Sequence, residues 1–334
     1  MPVENGVGQS AYTETKQEHL RTILRTHINI VKSILKKRSY SLPCYYYYDI
    51  NAGPGIYNNG EIGSPLVFVQ EAERARINYQ AVFIEIKDDS YNRLLSLFGD
   101  NPHVKIYHGD NQEILPLLIP NTKDRQWRYG MIYTDPNGIF NDKAIADFVN
   151  RECFSATDVL INCPASAIKR SINCCKCKDD RRLEDRLRQI NKKYWIVKDP
   201  QNSRWQWTHI MLTNWPNHPE FSQINMYRHN SQAGKAIFAK LNNTNKELAS
   251  LTNYGLFEQG WATYNDYLKS DEFSQVRKAV FARSKGMCDI CKNNQATEPH
   301  HIAYSHWYAG EVDALENLVA VCHQCHCRIH GKEK

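Results

Sequence analysis

The chain has 334 residues, too many for one small module, so at least two domains are expected. Hydrophobic residues make up 42% and aromatic residues 11%, which is enough for a packed core and excludes a disordered chain. The net charge of +6 is compatible with nucleic acid without selecting it, and no run approaches the roughly 20 apolar residues that cross a membrane.

Residues 1–13 read as a flexible tail with Gly6, Gly8 and Ser10. From Glu14 to Arg38, Leu20, Ile23, Leu24, Ile28, Val31, Ile34 and Leu35 fall at helical spacing. Lys36, Lys37 and Arg38 collect at the helix end, where the dipole favours cations; contact with phosphate is the rival use. Tyr45–Ile50 is a strand, and it runs into the turn Asn51-Ala52-Gly53-Pro54-Gly55. Glycine there lets a backbone approach a ligand closely. Four further strands follow at Ala81–Ile86, Val104–His108, Met131–Thr134 and Val159–Asn162, with helices at Ser64–Asn78, Tyr91–Phe98 and Asp142–Arg151 between them. Such alternation predicts an α/β domain with a doubly wound, Rossmann-like parallel sheet. Tyr194–Val197 and Trp207–Thr213 add two late strands around a loop at Pro200–Ser203.

Three acids and two glycines stand at the strand ends of this pattern: Gly53 and Gly55 after the first strand, Glu85 on the second, Asp110 after the third and Asp135 after the fourth. The layout resembles class I S-adenosylmethionine-dependent methyltransferases. The stretch from Asp49 to Gly55, with Gly60 and Gly63-Ser64-Pro65-Leu66, is more closely similar to the three-Cys-motif partner family, which has that fold. The resemblance covers about residues 15 to 240 and implies a cofactor site. Asp49, Gly53 and Gly55 would form its methionine end, Glu85 would accept hydrogen bonds from the ribose diol, Asp110 would lie near the adenine, and Asp135 would face the substrate. The sequence departs from amino-methylating DNA enzymes at Asp135-Pro136-Asn137-Gly138, which lacks the second proline and the aromatic of their motif. The acids also have a plainer reading as helix caps at strand ends.

The cluster Cys174, Cys175 and Cys177 has no matching partner set beyond Cys153 and Cys163 and reads as loop thiols. Lys178–Lys193 is predicted as a basic helix, either phosphate-facing or a solvated, salt-bridged face. The domain 14–241 is expected to end at a polar linker over 242–260, before a second domain over 261–334 that opens with helices from Trp261 to Arg283, broken near Ser270-Asp271.

The second domain holds the densest chemistry. Cys288-x-x-Cys291 and Cys322-x-x-Cys325 are two knuckles with the spacing of a closed structural zinc site. Between and after them stand His300-His301, Asn317, His326 and His330. Thr297–Ala303 and Leu318–Val321 read as strands and Gln324–Ile329 as a short helix. Adjacent strand residues point to opposite faces, so His300 and His301 have different jobs, whereas His326 and His330 share a helical face.

This arrangement, from about Trp261 to Gly331, resembles the HNH endonucleases with a four-cysteine knuckle and a ββα-metal fold. By motif position, the resemblance implies His300, His326 and His330 as ligands of a catalytic divalent ion (Mg, Mn, Ni or Zn). It implies His301 as the general base for the attacking water and Asn317 as the residue that orients it. A nucleic-acid substrate, chiefly double-stranded DNA, follows from the resemblance, and restriction or anti-phage defence from the two-domain architecture by analogy. A bifunctional methyltransferase–nuclease and a non-catalytic zinc-stabilised adaptor are the rival readings. A protein partner or self-association is compatible with either. Met1–Thr15 is polar and four of the eleven cysteines are claimed by metal, so a reducing cytoplasm and no membrane are expected.

Overall fold

The structure is a computed structural model that describes residues 13–37, 44–119, 127–172, 181–199, 207–216, 219–242, 268–301 and 318–329. It divides into two compact units, Met1–His229 and Asn230–Lys334. The expected tail, the Cys174–Cys177 cluster, the loop at Pro200–Ser203 and the linker beyond Asn242 lie outside the described residues.

The first unit is built on one eight-stranded sheet. Its strands are β1 (Tyr45–Asp49), β2 (Tyr79–Glu85), β3 (Val104–His108), β4 (Tyr129–Thr134), β5 (Thr157–Cys163), β6 (Tyr194–Lys198), β7 (Thr208–Thr213) and β8 (Met226–Arg228). They lie in the order 3-2-1-4-5-7-6-8. β1 to β5 pair in parallel, while β7 runs antiparallel to β5 and β6, and β8 antiparallel to β6. This is the expected doubly wound, Rossmann-like sheet, with its switch point between β1 and β4. Ligands of such sheets sit outside the carboxyl ends of the strands at that point.

β4, β5 and β7 are buried along their whole length, which is why they read as continuous apolar runs rather than alternating ones. Gly130 is obligatory beside β1, because a Cβ there would come 1.8 Å from the Tyr46 carbonyl oxygen. The helices are α1 (Thr13–Lys37), α2 (Ser64–Ala75), α3 (Asp88–Phe98), α4 (Asn111–Leu117), α5 (Asp142–Val149), α6 (Ala165–Ile172), α7 (Leu183–Leu187) and α8 (Pro219–Ser222). The apolar stripe of α1 (Leu20, Ile23, Leu24, Ile28, Val31 and Leu35) is buried in one core with Tyr45, Tyr47, Phe68 and Phe83. Glu71 of α2, 2% exposed, accepts hydrogen bonds from Arg21 and Arg25 of α1 and from Arg74, which fixes the two helices together.

The basic stretch behaves differently from its expectation. Among the described residues of 178–193, only Leu183–Leu187 is α-helical. Two of its cations turn inward. Arg186 is 2% exposed and pairs with buried Asp142 at 3.2 Å, and the Lys192 Nζ donates to the Phe154 carbonyl at 2.8 Å. They are core polar ties, and neither faces phosphate.

In the second unit, α9 spans Gln232–Asn242 and α10 spans Asp271–Arg283, whose N-cap Ser270 accepts from the Phe273 amide. The hairpin strands β9 (Glu298–His301) and β10 (Leu318–Val321) pair antiparallel, and α11 (His323–Ile329) follows at once. Val280, Leu318 and Ala320 form a small core under α10, with Val276 and Phe281 packed on it.

Candidate functional sites

The carboxyl ends of β1 to β5 open on one cleft of about 510 Å³, within the range of small-ligand pockets. Gly53, Glu85, Asp110 and Asp135 all line it. Gly53 has φ +66°, a conformation open to glycine at no steric cost, and its N–H donates to the Glu85 Oε2 at 2.7 Å. The Lys87 amide donates to the other oxygen at 2.8 Å. Both oxygens are thereby aimed, and each keeps a second acceptor position that suits a ribose diol. Asp110 caps α4 by accepting from the Gln112 amide at 2.8 Å. This cap and the cleft lining are both present at Asp110, so the two sequence readings of that residue coexist. Ile86 lines the cleft with 60% of its surface exposed and offers an apolar face beside Glu85. The sequence reading missed it; the signal was a large apolar residue directly after the strand-end acid.

Two expected residues stand elsewhere. Gly55, φ +74°, faces α3, where a Cβ would come 2.8 Å from the Leu97 Cδ1, and it is not part of the cleft lining. Asp49 is fully buried beneath the turn and also outside the lining. Burial pushes its carboxyl up to about 7, against the Ser64 hydroxyl and the Asn51 amide, with the charges of Asp135 and Glu85 adding to the rise. Asp135 accepts from the Asn162 Nδ2 at 2.6 Å and lies 3.8 Å from the Lys16 Nζ. Lys16 and Gln17 of α1 line the same cleft, which nothing in their helical pattern announced.

In the second unit, the four sulfurs of Cys288, Cys291, Cys322 and Cys325 lie within 4.8 Å of one another. Cys291 and Cys322 are 3.9 Å apart, close to the separation that Zn–S bonds of about 2.3 Å impose on a tetrahedron. Burial alone would raise the Cys288 thiol, yet backbone N–H groups at Cys291, Cys322 and Ile290 bring it down to about 6. The Cys325 thiol, buried among the other three sulfurs, is pushed up to about 12. Four thiolates can share so small a volume only around a cation, so the donor set fits zinc.

Beside this cage, His300 of β9 and His326 of α11 face each other with ring centroids 5.1 Å apart. Glu298, two residues before His300 on the same strand face, reaches across to α11. It bonds to the His326 Nδ1, and to the His323 Nδ1 at 3.0 Å. Glu298 and His323 were not singled out as a pair from sequence, because the contact spans the hairpin and helix. The backbone of His301 belongs to β9, on the opposite register from His300; its side chain, Asn317 and His330 lie outside the described residues. Of the three histidines expected as ligands of a catalytic ion, His300 and His326 lie among the described residues, where the group clustered for a metal is the four-cysteine set.

No family model matches the chain, and no curated protein matches it. Several solved structures match part of the chain at low identity and low TM-score. A protein of the DUF519 family from Legionella pneumophila is 17% identical, with 61% of this chain and 89% of that one covered and a TM-score of 0.41. A putative S-adenosyl-L-methionine-dependent methyltransferase from Methanococcus maripaludis is 13% identical, with 64% and 98% covered and a TM-score of 0.33. The citrinin polyketide synthase CMeT domain is 9% identical at a TM-score of 0.37, and the chain spans 47% of that structure's length. Among the described residues no helix is long and apolar enough to cross a membrane. The geometry itself establishes a Rossmann-like cleft at a sheet switch point and, separately, a four-thiol cage in a ββα setting.

Proposed function

We propose that the protein is a two-part enzyme acting on nucleic acid, in which the first unit is a methyltransferase-type domain that binds S-adenosylmethionine and the second is a zinc-held nuclease of HNH type. The observation that carries the first half is the convergence of Gly53, Glu85, Asp110 and Asp135 on one cleft at the strand ends. The cofactor, when bound, supplies an electrophilic methyl group. Glu85 holds the ribose, the Gly53 turn admits the chain close to the ligand, Ile86 covers one ring face, and Asp135 stands on the acceptor side with Asn162 fixing its carboxylate.

The His300–His326 pair beside the thiol cage, with His326 held by Glu298, favours the nuclease as the second activity. These two histidines, with His330, would hold a divalent ion that binds a scissile phosphate, and His301 would take the proton of the attacking water.

The test is one assay on double-stranded plasmid DNA with methyl-labelled cofactor and Mg, Mn or Ni. Nicking that is lost in His326→Ala supports the nuclease, and label transfer that is lost in Asp135→Ala supports the methyltransferase. Label transfer without nicking would overturn the second half. Nicking that responds to the cofactor without label transfer would replace methyl transfer by regulation, and neither outcome in any condition would favour an adaptor.

A further inference from the structure

The turn after β1 lies between two carboxylates of the cleft. β1 is flanked by β2 and β4 in the sheet, and its turn is tied to both. The Gly53 N–H donates to Glu85 at the end of β2, and the Thr134 hydroxyl at the end of β4 donates to the Asn51 Oδ1 at 2.7 Å. Asp135 follows Thr134 directly, so Glu85 and Asp135 stand on opposite sides of Gly53, and all three line the cleft. Tyr57 lines it as well, with its hydroxyl 3.5 Å from the point that a Cβ on Gly53 would take. The loop that carries Tyr57 is closed on itself. The Tyr57 N–H donates to the Glu61 carbonyl at 2.8 Å, the Gly60 N–H to the Tyr57 carbonyl at 3.0 Å and the Gly63 N–H to the Gly55 carbonyl at 2.7 Å. The phenol is thereby held over the turn between the two acids.

The Tyr57 hydroxyl makes no hydrogen bond among the described residues and opens on the cleft. Burial pushes its phenol up, and the charges of Asp135, Asp49, Glu85 and Glu61 add to the rise, so it stays protonated and neutral at physiological pH. A neutral phenol keeps oxygen lone pairs that can face a cation. Over the whole lining, the acids Glu85, Asp110 and Asp135 are balanced by Lys16, Lys87 and Arg170. Locally they are not distributed alike. Arg170 is an exposed residue of α6, Lys87 follows Glu85 on the ribose side, and Lys16 is the cation recorded near Asp135, 3.8 Å from it. The stretch from Glu85 across the Gly53 turn to Asp135 is therefore lined by oxygen.

We propose that Asp135 and the Tyr57 hydroxyl form a subsite for the positive charge on the cofactor's sulfur, so that the cleft retains the sulfonium, S-adenosylmethionine, and releases the thioether, S-adenosylhomocysteine. The sulfur is joined to the ribose through a single methylene. A ligand whose ribose meets Glu85 and whose chain runs toward Asp135 places that sulfur over the Gly53 turn, under Tyr57. The amino-acid ends of the two ligands are identical and cancel, so the charge on sulfur is what the subsite reads. Part-burial of these groups strengthens the attraction over its value in water. Lys16 is a standing competitor, because its ammonium offsets part of the Asp135 charge. The proposal rests on the cofactor reading of the cleft and adds how ligand and product are told apart.

The experiment is calorimetric titration of the full chain with three ligands: S-adenosylmethionine, S-adenosylhomocysteine, and the analogue in which a protonated amine replaces the sulfonium. Wild type is expected to bind the two cations about tenfold more tightly than the thioether, the worth of a unit charge near a part-buried carboxylate. Tyr57→Phe should lower that ratio by about threefold, Asp135→Asn should bring it to within about twofold of unity, and Lys16→Met should raise it. Thioether binding within about twofold of wild type shows that the cleft of each variant is intact. Should Asp135→Asn lose thioether binding too, the opposite signs of Tyr57→Phe and Lys16→Met decide. Equal binding of sulfonium and thioether by wild type would overturn the subsite, as would a preference left unchanged by Tyr57→Phe and Lys16→Met. Failure of all three ligands to bind would overturn the cofactor reading itself, and the subsite with it.

Discussion

Asp49 is a residue whose chemistry the fold displaces strongly. Its carboxyl sits at about 7 rather than the usual carboxylate range, because burial disfavours the charge and Asp135 and Glu85 lie near. A folded pKa above the unfolded one means that the unfolded chain ionises first. The stabilising protonated form is fully present below about pH 4, and its contribution is lost as pH rises through about 7, a change on the order of 4 kcal/mol. Asp49→Asn removes the titration and keeps the shape. Its midpoint of thermal unfolding should match wild type near pH 4 and exceed it by several degrees at pH 8. An equal pH dependence in the two proteins would show that Asp49 is not the group responsible. The proposed nuclease is tested at the same scale: His326→Ala, which removes the imidazole edge-on to His300, should on that proposal reduce plasmid nicking by about two orders of magnitude or more.

The elements were legible to different degrees, and the reasons are physical. β4, β5 and α1 stood out because burial on both faces demands continuous apolar runs and a surface helix demands a stripe at 3.6 spacing. The hairpin and helix of the second unit stood out because metal-ligand spacing fixes them locally. The short strand β8 and helices α4 and α6 did not, since three to eight residues give too little periodicity. Within the cleft, Gly53, Glu85, Asp110 and Asp135 could be placed from strand-end positions. Lys16 and Gln17 could not, because they reach it only through the packing of α1 across the sheet.

The basic stretch before β6 was misread for a related cause: charge was visible, but the long-range partner Asp142 of α5 was not. That pair gives an element-scale prediction. Asp142→Ala leaves Arg186 buried without its carboxylate and should cost about 3 kcal/mol or more in urea unfolding, whereas loss of the exposed Glu184–Arg188 pair on α7 should cost less than about 1 kcal/mol. Equal small effects would mean that Arg186 finds other partners at no cost.

At the scale of the whole molecule, the two units draw stability from different sources. The first has a large apolar core; around the thiols and Val280 the described residues of the second form only small clusters, so a metal is expected to hold that part together. One zinc per chain is expected by elemental analysis. Cys288→Ser, or a strong chelator, should abolish the unfolding transition of the second unit and leave that of the first within a few degrees. A single unshifted transition in the zinc-free protein would contradict a structural metal.

The strand-end cleft is proposed to hold S-adenosylmethionine, and calorimetric titration of that cofactor into the full chain reads the binding itself. One site per chain is expected in the wild type, weakened by about 10- to 100-fold in Glu85→Ala, the worth of hydrogen bonds to a charged group. No binding to the wild type, or equal binding by Glu85→Ala, would contradict it.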